Sequence, residues 1–150
     1  MLESFFYPKN FIKATEEFTT FDLAVPAPYI RKSFTVDAAC TAKLTVACCG
    51  FYEVYLNGTR FTKGLLSPYI SNPDHYIYCD EYDIQLDSGE NVLAFMLGNG
   101  FQNNPAGYIW DFDKAAFRSA PMIALSLTYE NAAGEKVKLE SDGSFKTAPS

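Results

Sequence analysis

FYEVYLNGTRF, residues 51–61, decides the fold class. Tyr52, Val54 and Leu56 alternate with Glu53 and Tyr55. A period of two turns one side of a strand toward a core and the other toward water. Asn57-Gly58 interrupts the alternation, and the chain resumes with Thr59, Arg60 and Phe61. Asn-Gly between strand-like runs favours a type I′ turn, which needs positive φ at both central residues, so the stretch reads as a β-hairpin. Asn57 is therefore read as a structural residue.

The same signal extends in both directions. YIRKSFTV (29–36) places Ile30, Phe34 and Val36 on one face. AKLTVACC (42–49) sets Leu44, Val46 and Cys48 against Lys43, Thr45 and Ala47. Downstream, YIYCDEYDI (76–84), NVLAFMLG (91–98), PMIALSLTYE (121–130) and KVKLE (136–140) read as strands, with a last short one around Phe145. Turn residues separate them at DSGEN (87–91) and NAAGE (131–135). A sustained 3.6-residue period is absent; one helical turn is expected near Asp113 to Phe117. The reading is an all-β chain, an antiparallel β-sandwich of jelly-roll, galactose-binding-like type. Residues 1–28 read as an irregular lead-in with one strand near Phe21 to Val25. Residues 29–147 form the sandwich, and 148–150, in SFKTAPS, read as the start of a linker to further domains.

Composition bounds the function. A chain of 150 residues fits one domain large enough to bury a core without staples. A net charge of −6 argues against nucleic acid and against an anionic membrane surface, since both need clustered Lys and Arg. No apolar run is long enough to span a bilayer. MLESFFYPKNF lacks the pattern of a secretory signal, which points to a cytoplasmic protein. Cys40, Cys48, Cys49 and Cys79 make no C-x-x-C pair, and His75, the one histidine, has no Cys at ligand spacing. They read as buried thiols in a reducing compartment rather than as a zinc site.

Catalytic constellations fare poorly. A Ser or Cys triad has only His75 to use, and His75 lies in the turn-like SNPDHYIY. Gly98-Asn99-Gly100 opens like a dinucleotide fingerprint, but its third position is Asn103 and no helix signal follows. Asp80, Glu81 and Asp83, and Asp111 with Asp113, read as solvated faces or turn contacts.

One stretch keeps a binding reading. LGNGFQNNPAGYIWDF (97–112) leaves a central strand through glycines and carries amides, then aromatics, including Trp110, the only tryptophan. Asn99, Asn103, Asn104 and Asp111 offer hydrogen bonds to hydroxyls, and Tyr108 and Trp110 offer faces for the apolar side of a sugar. The same aromatics also suit closing the edge of the sandwich, the reading the residues alone favour, and both readings stand.

The ordered set "YIRKSFTV", "GFYEVYLNGTRF", "LLSPYISN", "YIYCDEYDI" and "SGENVLAFMLGNGF" resembles the N-terminal β-sandwich domain of bacterial α-L-rhamnosidases over residues 27–130. Two positions depart from the pattern. Pro68-Tyr69-Ile70 stands where many members have Pro-Gly-Trp, and Gly100-Phe101-Gln102 where many have Gly-Trp-Tyr. The resemblance implies a non-catalytic accessory domain of a glycoside hydrolase that removes terminal L-rhamnose with inversion. The catalytic acids would lie in a separate (α/α)₆ barrel, so no catalytic residue is carried over. It further implies, as partners, the remaining domains of that enzyme and a rhamnose-containing glycan. No cofactor is read from the residues of this chain, and the resemblance leaves calcium open as an expectation. Calcium assists rhamnose binding in some relatives, and no calcium ligand maps onto a matching position. An autonomous carbohydrate-binding module and a purely structural interdomain domain are the alternatives.

Overall fold

The computed structural model describes residues 7–105 and 110–149. The strands are β1 (Ile12–Lys13), β2 (Tyr29–Val36), β3 (Cys40–Cys49), β4 (Phe51–Leu56), β5 (Thr59–Arg60), β6 (Cys79–Leu86), β7 (Gly89–Gly98), β8 (Met122–Glu130), β9 (Lys136–Glu140) and β10 (Lys146–Ala148). They form two five-stranded sheets. One runs β1-β8-β3-β6, with β9 also paired to β8; the other runs β10-β2-β7-β4-β5. Every pairing is antiparallel. Because consecutive strands repeatedly change sheet, the core forms between layers and not around one hairpin.

The alternation seen in sequence sorts the side chains. Along β7, Asn91, Leu93, Phe95 and Leu97 are buried while their neighbours are half-exposed. Ile30 and Val36 of β2 and Val54 of β4 face them from the same sheet. Leu44 and Val46 of β3, Ile84 and Leu86 of β6, and Ile123, Leu125 and Leu127 of β8 face them from the other. Each large apolar side chain withdrawn from water contributes about 1.5–3 kcal/mol, so this interior supplies the main force holding the sheets together. β3 and β8 sit inside their sheet, and Thr45 through Cys49 and Ile123 through Leu127 are buried on both faces.

The 57–58 turn forms as its sequence requires. Asn57 has φ 51° and Gly58 φ 82°, the two positive values of a type I′ turn. The Asn57 side chain also accepts from the Val92 amide at 2.8 Å and donates to Asn91 at 3.1 Å. It ties the hairpin to β7, a structural task.

Three expectations change in detail. The strand near Phe21 to Val25 does not form; the lead-in joins a sheet at Ile12–Lys13, which pairs with Ile123 and Met122. The strand expected from Tyr76 begins at Cys79, and residues 76–78 belong to the preceding loop. The helical turn falls at Phe112–Lys114, slightly earlier than expected. All four cysteines are free thiols, and His75 is exposed. Among the described residues no helix is long and apolar enough to cross a membrane.

Candidate functional site at the aromatic end of the sandwich

β3, β4 and β7 bring Cys49, Phe51 and Gly98 to one end of the sandwich, where Phe51 pairs with Gly98. Gly50 makes this end possible. Its φ is +109°, and a Cβ there would lie 2.5 Å from the Gly98 carbonyl oxygen. Only a residue without a side chain lets the two backbones pass so closely.

Beyond Gly98 the amides turn toward the protein. Asn99 donates to the Val25 carbonyl at 2.7 Å. Asn103 is fully buried; it accepts from the Thr19 amide at 3.1 Å and donates to the Glu17 carbonyl at 3.2 Å and to Asn99 Oδ1 at 3.1 Å. Gln102, also buried, donates to the Phe117 carbonyl and, at 2.9 Å, to Ser119 Oγ; its own carbonyl accepts from the Ser119 amide at 3.1 Å. Asn99 and Asn103 thus bind the lead-in to the loop, and Gln102 binds residues 117–119. Asn104 is exposed. Asp111 is exposed and pairs with Lys114 at 3.1 Å. Tyr108 lies outside the described residues.

The aromatics gather on the other side of this loop. Phe112 makes edge contacts with Phe101 (ring centroids 5.9 Å) and Phe117 (6.0 Å), and Trp110 tilts over Phe112 at 6.1 Å while remaining 69% exposed. Together with Phe51, and with Tyr69 and Ile70 from the loop between β5 and β6, these three phenylalanines line a cavity of about 300 Å³. That is the lower end of the range for small-ligand pockets. Ser71, Asn72 and Gln102 are polar groups in its wall, and among the described residues no charged one lines it.

The two thiols at its base are inert. Burial pushes the Cys49 thiol up to about 11 and the Cys48 thiol well above its usual 9.0. Neither is a thiolate near neutrality, so the cavity holds no activated nucleophile.

Among the described residues no three His, Cys, Asp or Glu side chains form a group that could hold a metal ion. Asp80 accepts from the Tyr52 hydroxyl, and Glu81 and Asp83 share Lys43. These carboxylates are thus engaged by neighbouring side chains rather than gathered around a common point.

The expected stretch supplies Phe101, Gln102 and Phe112 to the cavity, but Phe51, Tyr69, Ile70 and Phe117 come from outside it. A signal for Tyr69 and Ile70 was present, since they replace Gly-Trp in the family pattern.

A two-sheet antiparallel sandwich with an aromatic cavity at one end defines the class of molecule. Residues 37–150 match the α-L-rhamnosidase N-terminal domain family, and the chain belongs to it. It is 33% identical over 130 residues to an α-L-rhamnosidase of Formosa agariphila, covering 80% of this chain and 13% of that protein. Its structure resembles α-L-rhamnosidase from Dictyoglumus thermophilum (TM-score 0.70, 26% identity, 89% of this chain and 15% of that one). It also resembles the Streptomyces avermitilis α-L-rhamnosidase solved in complex with L-rhamnose (TM-score 0.69, 25% identity, 85% and 12%). The chain therefore spans a small part of the length of the relatives it matches.

Proposed function

We propose that this domain is a non-catalytic accessory module of an enzyme that hydrolyses terminal L-rhamnose, and that its aromatic cavity contacts the sugar of the substrate. The observation that carries the reading is the cavity itself: rings of Phe51, Tyr69, Phe101, Phe112 and Phe117 around a space with polar but uncharged groups in its wall. A deoxy sugar presents an apolar face and hydroxyls, and this lining offers contacts to both. Glycoside hydrolysis needs a pair of carboxyl groups across the scissile bond, and the described residues of the cavity lining include none. The acid and base are assigned to another domain of the parent enzyme, and sugar contact here is assigned to side chains without a metal.

The test is calorimetric titration with L-rhamnose, with EDTA and with added calcium, beside an assay with an aryl α-L-rhamnoside. Saturable binding in both buffers, weakened by Phe101→Ala, and no aryl release support the reading. Aryl release that persists through purification overturns it.

A second reading is interdomain packing. Leu65 and Leu66 are 74% and 68% exposed in the loop between β5 and β6, and an aliphatic pair of this kind suits a protein surface better than a sugar. Protection of residues 64–67 from hydrogen exchange in the longer enzyme, absent from this chain alone, would assign that task to them.

A further inference from the structure

The loop between β5 and β6 does more than wall the cavity. The Ser67 carbonyl accepts from the Tyr52 amide at 2.8 Å, which anchors one end. Asn72 folds the middle: its side chain accepts from the Asp74 amide at 3.1 Å, and its carbonyl accepts from His75 and Tyr76 at 2.9 and 3.0 Å. Tyr69 and Tyr76 each pack against Tyr78. Ring centroids are 6.4 Å apart for Tyr69 and Tyr78 and 5.5 Å for Tyr76 and Tyr78, both edge to face.

These rings are not core. Tyr69 is 87% exposed, Tyr76 55% and Tyr78 42%. Tyr69 lines the cavity, Tyr78 packs against Tyr69, and Tyr76 packs against Tyr78, so the three rings are continuous with the cavity lining, of which Tyr76 and Tyr78 are not part. Each ring has an apolar face and a hydroxyl rim, the combination that suits a partner with apolar and hydroxylated sides. Charge narrows the partner. The chain carries −6 and the described residues of the adjoining cavity lining include no cation, which disfavours a polyanionic glycan.

We propose that Tyr69, Tyr78 and Tyr76 form a second subsite for the sugars adjacent to the one in the cavity. The domain would then grip a neutral oligosaccharide chain and not a single terminal sugar. This rests on the reading of the cavity as a sugar site, and the test separates the two.

The chain is titrated by calorimetry with L-rhamnose and with a neutral tetrasaccharide ending in α-L-rhamnose. The proposal expects the tetrasaccharide to bind about tenfold more tightly, the scale of an added aromatic contact. Tyr76→Ala removes that gain and leaves L-rhamnose affinity unchanged, while Tyr76→Phe, which keeps the ring, retains most of it. Unfolding midpoints confirm that both variants fold. Equal affinities for the two saccharides, or a gain that survives Tyr76→Ala, overturns the second subsite and leaves the cavity standing. No binding of either saccharide removes both. A dimer that Tyr76→Ala disperses, without saccharide binding, reassigns the three rings to a protein contact.

Discussion

The hydroxyl of Tyr52, on β4, donates to the Asp80 carboxylate of β6 at 2.6 Å and so bonds one sheet to the other. Tyr82 lies 2.7 Å from the same oxygen. Tyr52 has one proton and gives it to Asp80, so Tyr82 is the donor in the second bond. Burial first, then the bond to Asp80, raises the Tyr52 pKa far above its ordinary 10.0. Tyr52→Phe keeps the ring and deletes this link, leaving a half-buried carboxylate without its donor. Loss of such a partner costs about 1–3 kcal/mol. The urea midpoint should fall with the slope unchanged; an unchanged midpoint would show that water replaces the hydroxyl at no cost.

Stability should decline at alkaline pH. Burial raises Cys49 and Cys79 from 9.0 to about 11, and it raises Cys48 and Tyr52 as well. In the unfolded chain these groups lose protons first, so rising pH favours unfolding. Their contribution is complete below pH 9 and is lost from there as pH climbs through 11. Urea midpoints measured from pH 7 to 11 should be level and then drop, and Cys49→Ala should make the drop shallower. A midpoint that climbs across pH 9–11 contradicts the burial of these thiols.

Asn103→Ala should loosen the lead-in. The side chain joins Glu17 and Thr19 to Asn99, and its loss leaves part-buried backbone groups unpaired, at a cost of about 1 kcal/mol. Limited proteolysis should cut the variant within residues 17–25 faster than the wild type. Equal cutting would mean that other contacts hold the segment.

The passage of Gly50 beside Gly98 makes a sharper case. Gly50→Ala imposes a Cβ 2.5 Å from a carbonyl oxygen on a backbone at φ +109°. Strain of this kind costs about 1–3 kcal/mol before any clash is relieved. Thermal unfolding should show a clear fall in Tm, whereas Gly143→Ala, where an added Cβ meets nothing, should not.

What could be read in the chain follows from the range of each signal. β7 was legible because Asn91, Leu93, Phe95 and Leu97 alternate without a break. The 57–58 hairpin was legible because its turn is written in two adjacent residues. β1 was not, because a two-residue strand has no period and its partners, Ile123 and Met122, are far along the chain. Tyr76 to Tyr78 looked like strand because aromatics favour strands, yet these rings stand on the surface. The amide-rich loop was visible as a composition. Its direction was not, since Asn103 is aimed by Glu17 and Thr19, more than eighty residues earlier. The cavity was hidden for the same reason, its walls coming from four separated stretches of sequence.

Trp110 offers the most direct measurement of the central claim, that this end of the domain contacts sugar. It is the only tryptophan and tilts over Phe112, a residue that lines the cavity, without lining the cavity itself. L-rhamnose should shift its fluorescence saturably, with a stereoisomeric sugar as control and Phe101→Ala abolishing the change. A response that stays flat to saturating L-rhamnose, or that the control sugar reproduces, would contradict the account and leave the cavity as a packing feature of the parent enzyme.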